Sequence, residues 1–348
     1  MESTNQEYRR LGVALVGLGE YSTGQLGPAL RLTEHCYLAG VVSEDDQKMK
    51  KWKDEYNLKQ NNLYNYENFD EIKYNPDIDI VYVVLPNSLH AEFVTRAAMA
   101  GKHVICEKPL GINVDECQRM IETCKKYKVK LSMGYRLHFE PFNMTMMRLG
   151  QNKVMGQVKK IIARDSMEIG EPDQWRLDGA LSGGGPLMNN GIYCVQAAQF
   201  ITGELPISVH AEFLPKKDHK KFAEVEEGIR WTMEFPSGCI AECESSYSKN
   251  ENLLRAEAEN GWFELEPAYE YQGLKGRTSE GDLDLPSINQ QAAQMDAFSR
   301  CIQNGTQSQV PGEMGLRDVE IMMAIYESAR TKQKIGLHLE EFAALPEQ

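Results

Sequence analysis

A continuously apolar run, Leu11-Gly12-Val13-Ala14-Leu15-Val16, leads straight into Gly17-Leu18-Gly19. A strand that is apolar on both faces must be covered on both faces, and that belongs to parallel sheets flanked by helices. The glycines let the chain turn tightly and let the backbone approach a ligand. Ser22 stands where the third glycine of a GxGxxG turn would be. A helix expected over residues 23–32 would aim its N-terminus at the turn, with Tyr21 beside it, and a helix N-terminus suits a pyrophosphate.

The strands and helices after the turn give it meaning. Residues 38–43, 79–86, 102–106 and 130–135 read as further buried strands. Helical stretches at 44–56, 88–100 and 114–128 separate them. This alternation implies a doubly wound parallel sheet of the Rossmann type over residues 1–137. Such sheets bind ligands at the carboxyl ends of their strands. Gly17, Gly19, Tyr21, Ser43, Leu85, Asn87, His90, Glu107, Lys108 and Arg136 all fall at those ends. Their convergence points to a dinucleotide more strongly than the glycine turn alone.

The residue closing the second strand separates NAD from NADP. An acid there holds the adenosine ribose of NAD. Here it is Ser43, which leaves room for a 2′-phosphate, and Lys48 lies five residues on with a charge to neutralise it. NADP is therefore favoured over NAD, with Glu44 as the one group able to turn inward toward an NAD ribose.

After about residue 138 the pattern changes. Strands are expected at 158–166, 207–213, 229–235, 239–247, 253–258 and 262–265, with Asn260-Gly261 as a hairpin turn. These make residues 138–348 an α+β domain with an open, mainly antiparallel sheet. One sheet face would meet solvent or a partner, and a helix over 186–201 would cover the other. Gly150 with residues 151–153 reads as a local loop, and helices at about 289–304 and 312–332 are expected to pack back on the first domain.

The net charge of −13 argues against nucleic acid or an anionic membrane as partner. No apolar run approaches the roughly 18 residues of a membrane span. Arg9-Arg10 precedes a run too short for a secretory signal, so a cytoplasmic location is expected, or a periplasmic one if a leader has been removed. The eight cysteines are scattered without metal-binding spacing and read as reduced, buried thiols, so no metal is expected.

The richest segment is Gly183-Gly184-Gly185-Pro186-Leu187-Met188-Asn189-Asn190-Gly191-Ile192-Tyr193. Proline opens a helix, and Asn189 and Tyr193, four residues apart, would share one face of it. Asn190 would point elsewhere. A lysine in Lys108's place can stay charged, polarise a substrate oxygen and lower the pKa of a nearby phenol. Tyr193 supplies that phenol and can exchange a proton with a substrate hydroxyl. Asn189 can orient groups but cannot act as a base. Trp175-Arg176 would cover the pyrophosphate or nicotinamide, while Asp165, Glu168 and Tyr271 would line the pocket and His138 would lie near the cleft.

In their order along the chain, these motifs resemble the glucose–fructose oxidoreductase, inositol dehydrogenase and MocA-like family. The motifs are the glycine turn, Leu85-Pro86-Asn87-Ser88-Leu89-His90, Cys106-Glu107-Lys108-Pro109, Gly134-Tyr135-Arg136, Gln174-Trp175-Arg176, the 183–193 segment and the stretch from Pro311 to Arg330. The resemblance is greatest to the glucose–fructose and aldose–aldose oxidoreductase branch, where tyrosine stands at the position of Tyr193. It implies that Ser43, Lys48 and Tyr66 contact the adenosine end of NADP and that Tyr271 faces the cofactor. It further implies a tightly held NADP reduced by an aldose, and a homodimer or homotetramer built through the open sheet. One departure stands out: Asn189 occupies the place of the family's aspartate. The alternatives are an ordinary sugar or diol dehydrogenase with exchangeable NAD(P), or a catalytically silent cofactor-binding sensor.

Overall fold

The computed structural model describes residues 9–170 and 173–343. Six parallel strands form the first sheet: β1 (Leu11–Val16), β2 (Cys36–Val42), β3 (Leu63–Tyr64), β4 (Ile80–Val83), β5 (His103–Cys106) and β6 (Leu131–Met133). Their order is β3-β2-β1-β4-β5-β6, so the chain reverses direction between β1 and β4. A crevice opens at such a reversal, beyond the carboxyl ends of the strands. Every residue of β1 is buried, as its unbroken apolar run requires. β3 was not legible in the sequence, because two residues leave no periodicity to read.

The second sheet has nine strands: β7 (Val158–Ser166), β8 (Ser208–Phe213), β9 (Gly228–Glu234), β10 (Ile240–Ser246), β11 (Glu251–Ala258), β12 (Gly261–Leu265), β13 (Gly276–Thr278), β14 (Gly281–Leu283) and β15 (Ile335–Gly336). All neighbours are antiparallel except β7 and β10. The helix at Ile192–Thr202 packs on one face, with Gly191 set so close to Trp231 that an added Cβ would lie 3.1 Å from its ring. The other face carries ion pairs across strands, among them Lys160–Glu242 at 2.8 Å and Arg255–Glu264 at 2.9 Å.

The expected loop at 150–153 is corrected. Gly150 and Gln151 belong to a helix, Pro141–Gln151, started by Pro141 and capped by the Glu140 carboxylate on the Asn143 N–H. Gly150 is there for packing: a Cβ would come within 2.3 Å of the Ile201 carbonyl. A helix at Gln290–Asn304 lies against the first sheet, its Met295 and Phe298 in one apolar cluster with Val13, Leu15 and Ile80. Asp296 from that helix accepts the Glu34 and His35 N–H groups. No helix among the described residues is long and apolar enough to cross a membrane, and all eight cysteines are unpaired and buried.

Candidate active site

The crevice begins at the glycine turn. Gly17 has φ +97°, and a Cβ there would come within 2.3 Å of the Val84 carbonyl, so only glycine fits. An added Cβ at Gly19 would meet nothing within 4 Å, so the backbone there faces open space. Ser22 keeps the place of the third glycine because its hydroxyl turns back to donate to the Gly17 carbonyl at 2.6 Å. The expected helix over 23–32 is a wider π turn, Ser22–Leu26, followed by one α turn at Gly27–Leu30. π turns of this kind are frequent at functional sites.

At the end of β2, Ser43 is buried and its Oγ accepts the Asp45 N–H at 3.1 Å, which leaves the hydroxyl proton to donate. Glu44 is held by the Tyr66 N–H at 2.5 Å. Lys48 stands in the first turn of the helix Asp46–Tyr56, 3.9 Å from Asp45, with an exposed ammonium. Tyr66 is half-buried and meets Phe93 edge-on at 4.8 Å. An open backbone at Gly19, a small hydroxyl at Ser43 and a nearby cation at Lys48 fit a phosphorylated dinucleotide.

Two residues expected at the cofactor, His90 and Asn87, are also tied into the frame. His90 is fully buried, with its ring nitrogens on the Pro109 and Leu85 carbonyls at 2.8 and 2.9 Å. It fixes two loops of the crevice rather than offering a free nitrogen, and burial pushes its pKa down. Asn87 donates to the Ser182 carbonyl at 2.8 Å and so ties the first sheet's loop to the segment before the glycine loop. Leu85 is buried beneath Gly17. Glu107 accepts the Tyr82 hydroxyl at 2.7 Å, and its carboxyl lies so close to Gly134 that a Cβ there would meet it at 2.7 Å.

Lys108, Asn189 and Tyr193 come together. The Lys108 ammonium donates to the Asn189 main-chain carbonyl and to Asn189 Oδ1, the latter at 3.4 Å. It also sits 4.9 Å from the centroid of the Tyr193 ring. Burial pushes Lys108 down to about 8 against the opposing pull of Glu107 and Asp165. Burial pushes the Tyr193 phenol well above its usual value, and the cation that draws it down is Arg136. Lys108 thus faces the Tyr193 ring, and Arg136 is a second cation beside it that favours the phenolate.

Arg136 is a clamp more than an open ligand. Its guanidinium donates to the carbonyls of Tyr269 and Glu270 and to the Gln290 side chain. The same group lies 5.2 Å from the Tyr193 ring and 4.4 Å from the Tyr271 ring. Tyr271 in turn lies 5.9 Å from Tyr21, so one aromatic and cationic wall runs from the glycine turn to Tyr193. Trp175 and Arg176 are half-buried and stack on each other at 4.7 Å. Glu168 is exposed, and His138 is buried against Phe200 at 4.3 Å.

The glycine loop has a support that sequence reading missed. Glu226 accepts the Gly185 N–H at 2.8 Å, the Leu187 N–H at 3.1 Å and the Tyr326 hydroxyl at 2.8 Å. It thereby satisfies the unpaired donors of the next helix. Its only signal was an acid in Glu224-Val225-Glu226-Glu227, indistinguishable from a solvated charge run.

Asn190 is a second correction. The helix over 186–201 begins as a π turn, Leu187–Gly191, and becomes α only at Ile192–Thr202. The extra residue per turn rotates Asn190 toward the site. Its Oδ1 accepts Asn189 Nδ2 at 2.8 Å, and its Nδ2 donates to Asp165 Oδ1 at 3.1 Å. Asp165, buried at the end of β7, is pushed up to about 7 by that burial. Among the described residues, no group of acids, histidines and cysteines is arranged to hold a metal.

Residues 11–135 match the oxidoreductase family with an NAD-binding Rossmann fold named GFO/IDH/MocA, and residues 144–270 match the C-terminal domain of that family. The chain belongs to the GFO/IDH/MocA oxidoreductase family. It is 42% identical to an aldose-aldose oxidoreductase from Caulobacter crescentus, over 94% of this chain and all of that one, with a TM-score of 0.93. It is 28% identical to the D-xylose 1-dehydrogenase [NADP(+)] of Haloarcula marismortui, over 93% of this chain and 92% of that protein. It is also 27% identical to the D-glucoside 3-dehydrogenase of Escherichia coli, over 74% and 79% of the two chains. The two matched segments fall on the Rossmann sheet and on the open, mainly antiparallel one.

Proposed function

We propose that this GFO/IDH/MocA chain is an NADP-dependent sugar oxidoreductase that moves a hydride between the anomeric carbon of an aldose and nicotinamide C4. The observation that carries this is the meeting of Lys108, Asn189 and Tyr193 at the mouth of the crevice, with the Lys108 ammonium 4.9 Å from the Tyr193 ring centroid. Likeness to an aldose-aldose oxidoreductase and to an NADP-linked xylose dehydrogenase supports the substrate class and the cofactor. Ser43 and Lys48 support NADP further, as does the commitment of Glu44 to the Tyr66 N–H.

NADP, when bound, supplies the hydride acceptor. The chain's own residues manage the oxygen. Lys108 Nζ donates to the reacting oxygen and polarises it. Tyr193 Oη, as the phenolate, bonds the same oxygen and takes up its proton as the C–H bond breaks and the lactone carbonyl forms. Burial holds the resting phenol protonated, so forming the phenolate depends on the nearby positive charge, that of Arg136 above all. Asn189 holds Lys108 in place. A tightly held NADP, recycled by a second sugar, belongs to this reading, as does association of two or four copies through the open sheet face.

The test is an absorbance spectrum of purified protein with no cofactor added, before and after D-glucose or D-xylose. A reduced-nicotinamide band that appears only with the sugar is the expected result. Retained NADP that no aldose reduces would overturn the activity and favour a silent sensor. A protein that oxidises aldoses only with added cofactor would overturn tight retention alone.

A further inference from the structure

The family's aspartate is absent at position 189, yet Lys108 is not left without a carboxylate. A chain of hydrogen bonds runs from it through two amides to Asp165. Lys108 Nζ donates to Asn189 Oδ1 at 3.4 Å, Asn189 Nδ2 to Asn190 Oδ1 at 2.8 Å, and Asn190 Nδ2 to Asp165 Oδ1 at 3.1 Å. The direction of the chain is fixed at both ends. An ammonium can only donate and an ionised carboxylate can only accept, so each amide must turn its oxygen toward Lys108 and its nitrogen toward Asp165. A π turn makes this possible by bringing consecutive asparagines into one line.

We propose that Asp165 is the positioning carboxylate of this active site, acting on Lys108 through the amides of Asn189 and Asn190. A pair of amide dipoles aligned head to tail between opposite charges stabilises both charges. Direct contact with an aspartate at 189 would achieve the same end in one step. The surroundings are mixed: Glu107, Arg176 and Arg136 also act on Lys108, and Arg136 and Glu270 also act on Asp165. Asp165 is buried, so its influence is weakly screened. Met167 Sδ, 3.7 Å from Asn189 Nδ2, is a further contact of that amide and offers only a weak acceptor, and the Tyr247 hydroxyl also bears on the Asn189 side chain.

The proposal rests on Lys108 as the charged group at the reacting oxygen, but its test does not need turnover. The full-length protein is labelled with 13C in its lysine side chains, and Lys108 is assigned by the resonance lost in Lys108→Met. Its titration is then followed in the natural protein, Asp165→Asn, Asn190→Ala and Asp165→Asn/Asn189→Asp. The Lys108 midpoint starts at about 8. Asp165→Asn should weaken its proton affinity by roughly tenfold, a full pKa unit. Asn190→Ala should move it the same way with Asp165 untouched, and Asn189→Asp should return it in the double variant. An unchanged midpoint in Asp165→Asn overturns the proposal. A fall in Asp165→Asn without one in Asn190→Ala overturns the amide relay. Absence of aldose oxidation would overturn the proposed function and leave this titration fully readable.

Discussion

Tyr326 donates its hydroxyl to Glu226 at 2.8 Å, behind the glycine loop that carries Asn189 and Tyr193. One carboxylate thus holds the Gly185 and Leu187 N–H groups and a tyrosine from the helix Gly312–Thr331. Replacing Glu226 with alanine leaves three buried donors unpaired, at about 1–3 kcal/mol each before relaxation. Glu226→Ala should lower the thermal midpoint by several degrees. It should also reduce turnover by loosening the start of the helix. Differential scanning calorimetry and steady-state kinetics on the same sample check both effects.

Tyr193→Phe removes the hydroxyl and keeps the ring that Lys108 and Arg136 face. Proton transfer by a positioned side chain contributes about 10²–10⁴ in rate. The variant should lose kcat by about that factor while retaining the fold and bound cofactor. Lys108→Met should lose about 10²–10³, the usual value of one oriented donor at a reacting oxygen. Initial rates of NADP reduction by an aldose measure both, and unchanged kcat in Tyr193→Phe would remove the phenol from the chemistry.

The alkaline side of the pH profile is set by Lys108 and by the carboxylate that supports its charge. Asp165 is pushed up to about 7, so below that pH it takes a proton and ceases to support the charge on Lys108. Lys108 is pushed down to about 8, so above that pH it loses the charge that polarises the substrate. A plot of kcat/KM against pH should therefore fall on the alkaline side, with a limb near 8, and stay level on the acid side, where Lys108 keeps its proton with or without the Asp165 charge. Asn189→Asp puts an anion against the ammonium and should carry the alkaline limb upward.

Cofactor choice should turn on Ser43 more than on Lys48. An aspartate at 43 would stand beside the 2′-phosphate, where like charges about 4 Å apart cost about 4 kcal/mol near a protein surface. Ser43→Asp should weaken NADP by at least about tenfold, some 1.4 kcal/mol, and spare NAD. Lys48 is 55% exposed, so Lys48→Ala should cost roughly 0.2–1 kcal/mol. Titration of both variants with both dinucleotides by intrinsic tryptophan fluorescence checks the order.

The first domain was largely legible because buried parallel strands are apolar without interruption and their ends collect the ligand-facing residues. β1 and its glycine turn show this most clearly. Lys108, Asn189 and Tyr193 were legible for a related reason, since a glycine loop leading into a helix is a local signal. What stayed hidden depended on partners remote in sequence or on a departure from α geometry. Asn190 reads as misdirected on an α-helix and is brought inward by a π turn. Glu226 reads as surface charge until the loop it caps lies against it, 41 residues away from Gly185. His90 shows the opposite error: its place beside the crevice suggested contact with the cofactor, while two main-chain carbonyls occupy its ring.

The most direct test of the central claim is single-turnover reduction of NADP on the protein by aldoses carrying deuterium at chosen carbons. If Lys108 and Tyr193 act at the anomeric oxygen, deuterium at C1 slows formation of reduced nicotinamide and deuterium at C2 or C3 leaves it unchanged. Slowing by deuterium at another carbon, with none at C1, would contradict the account.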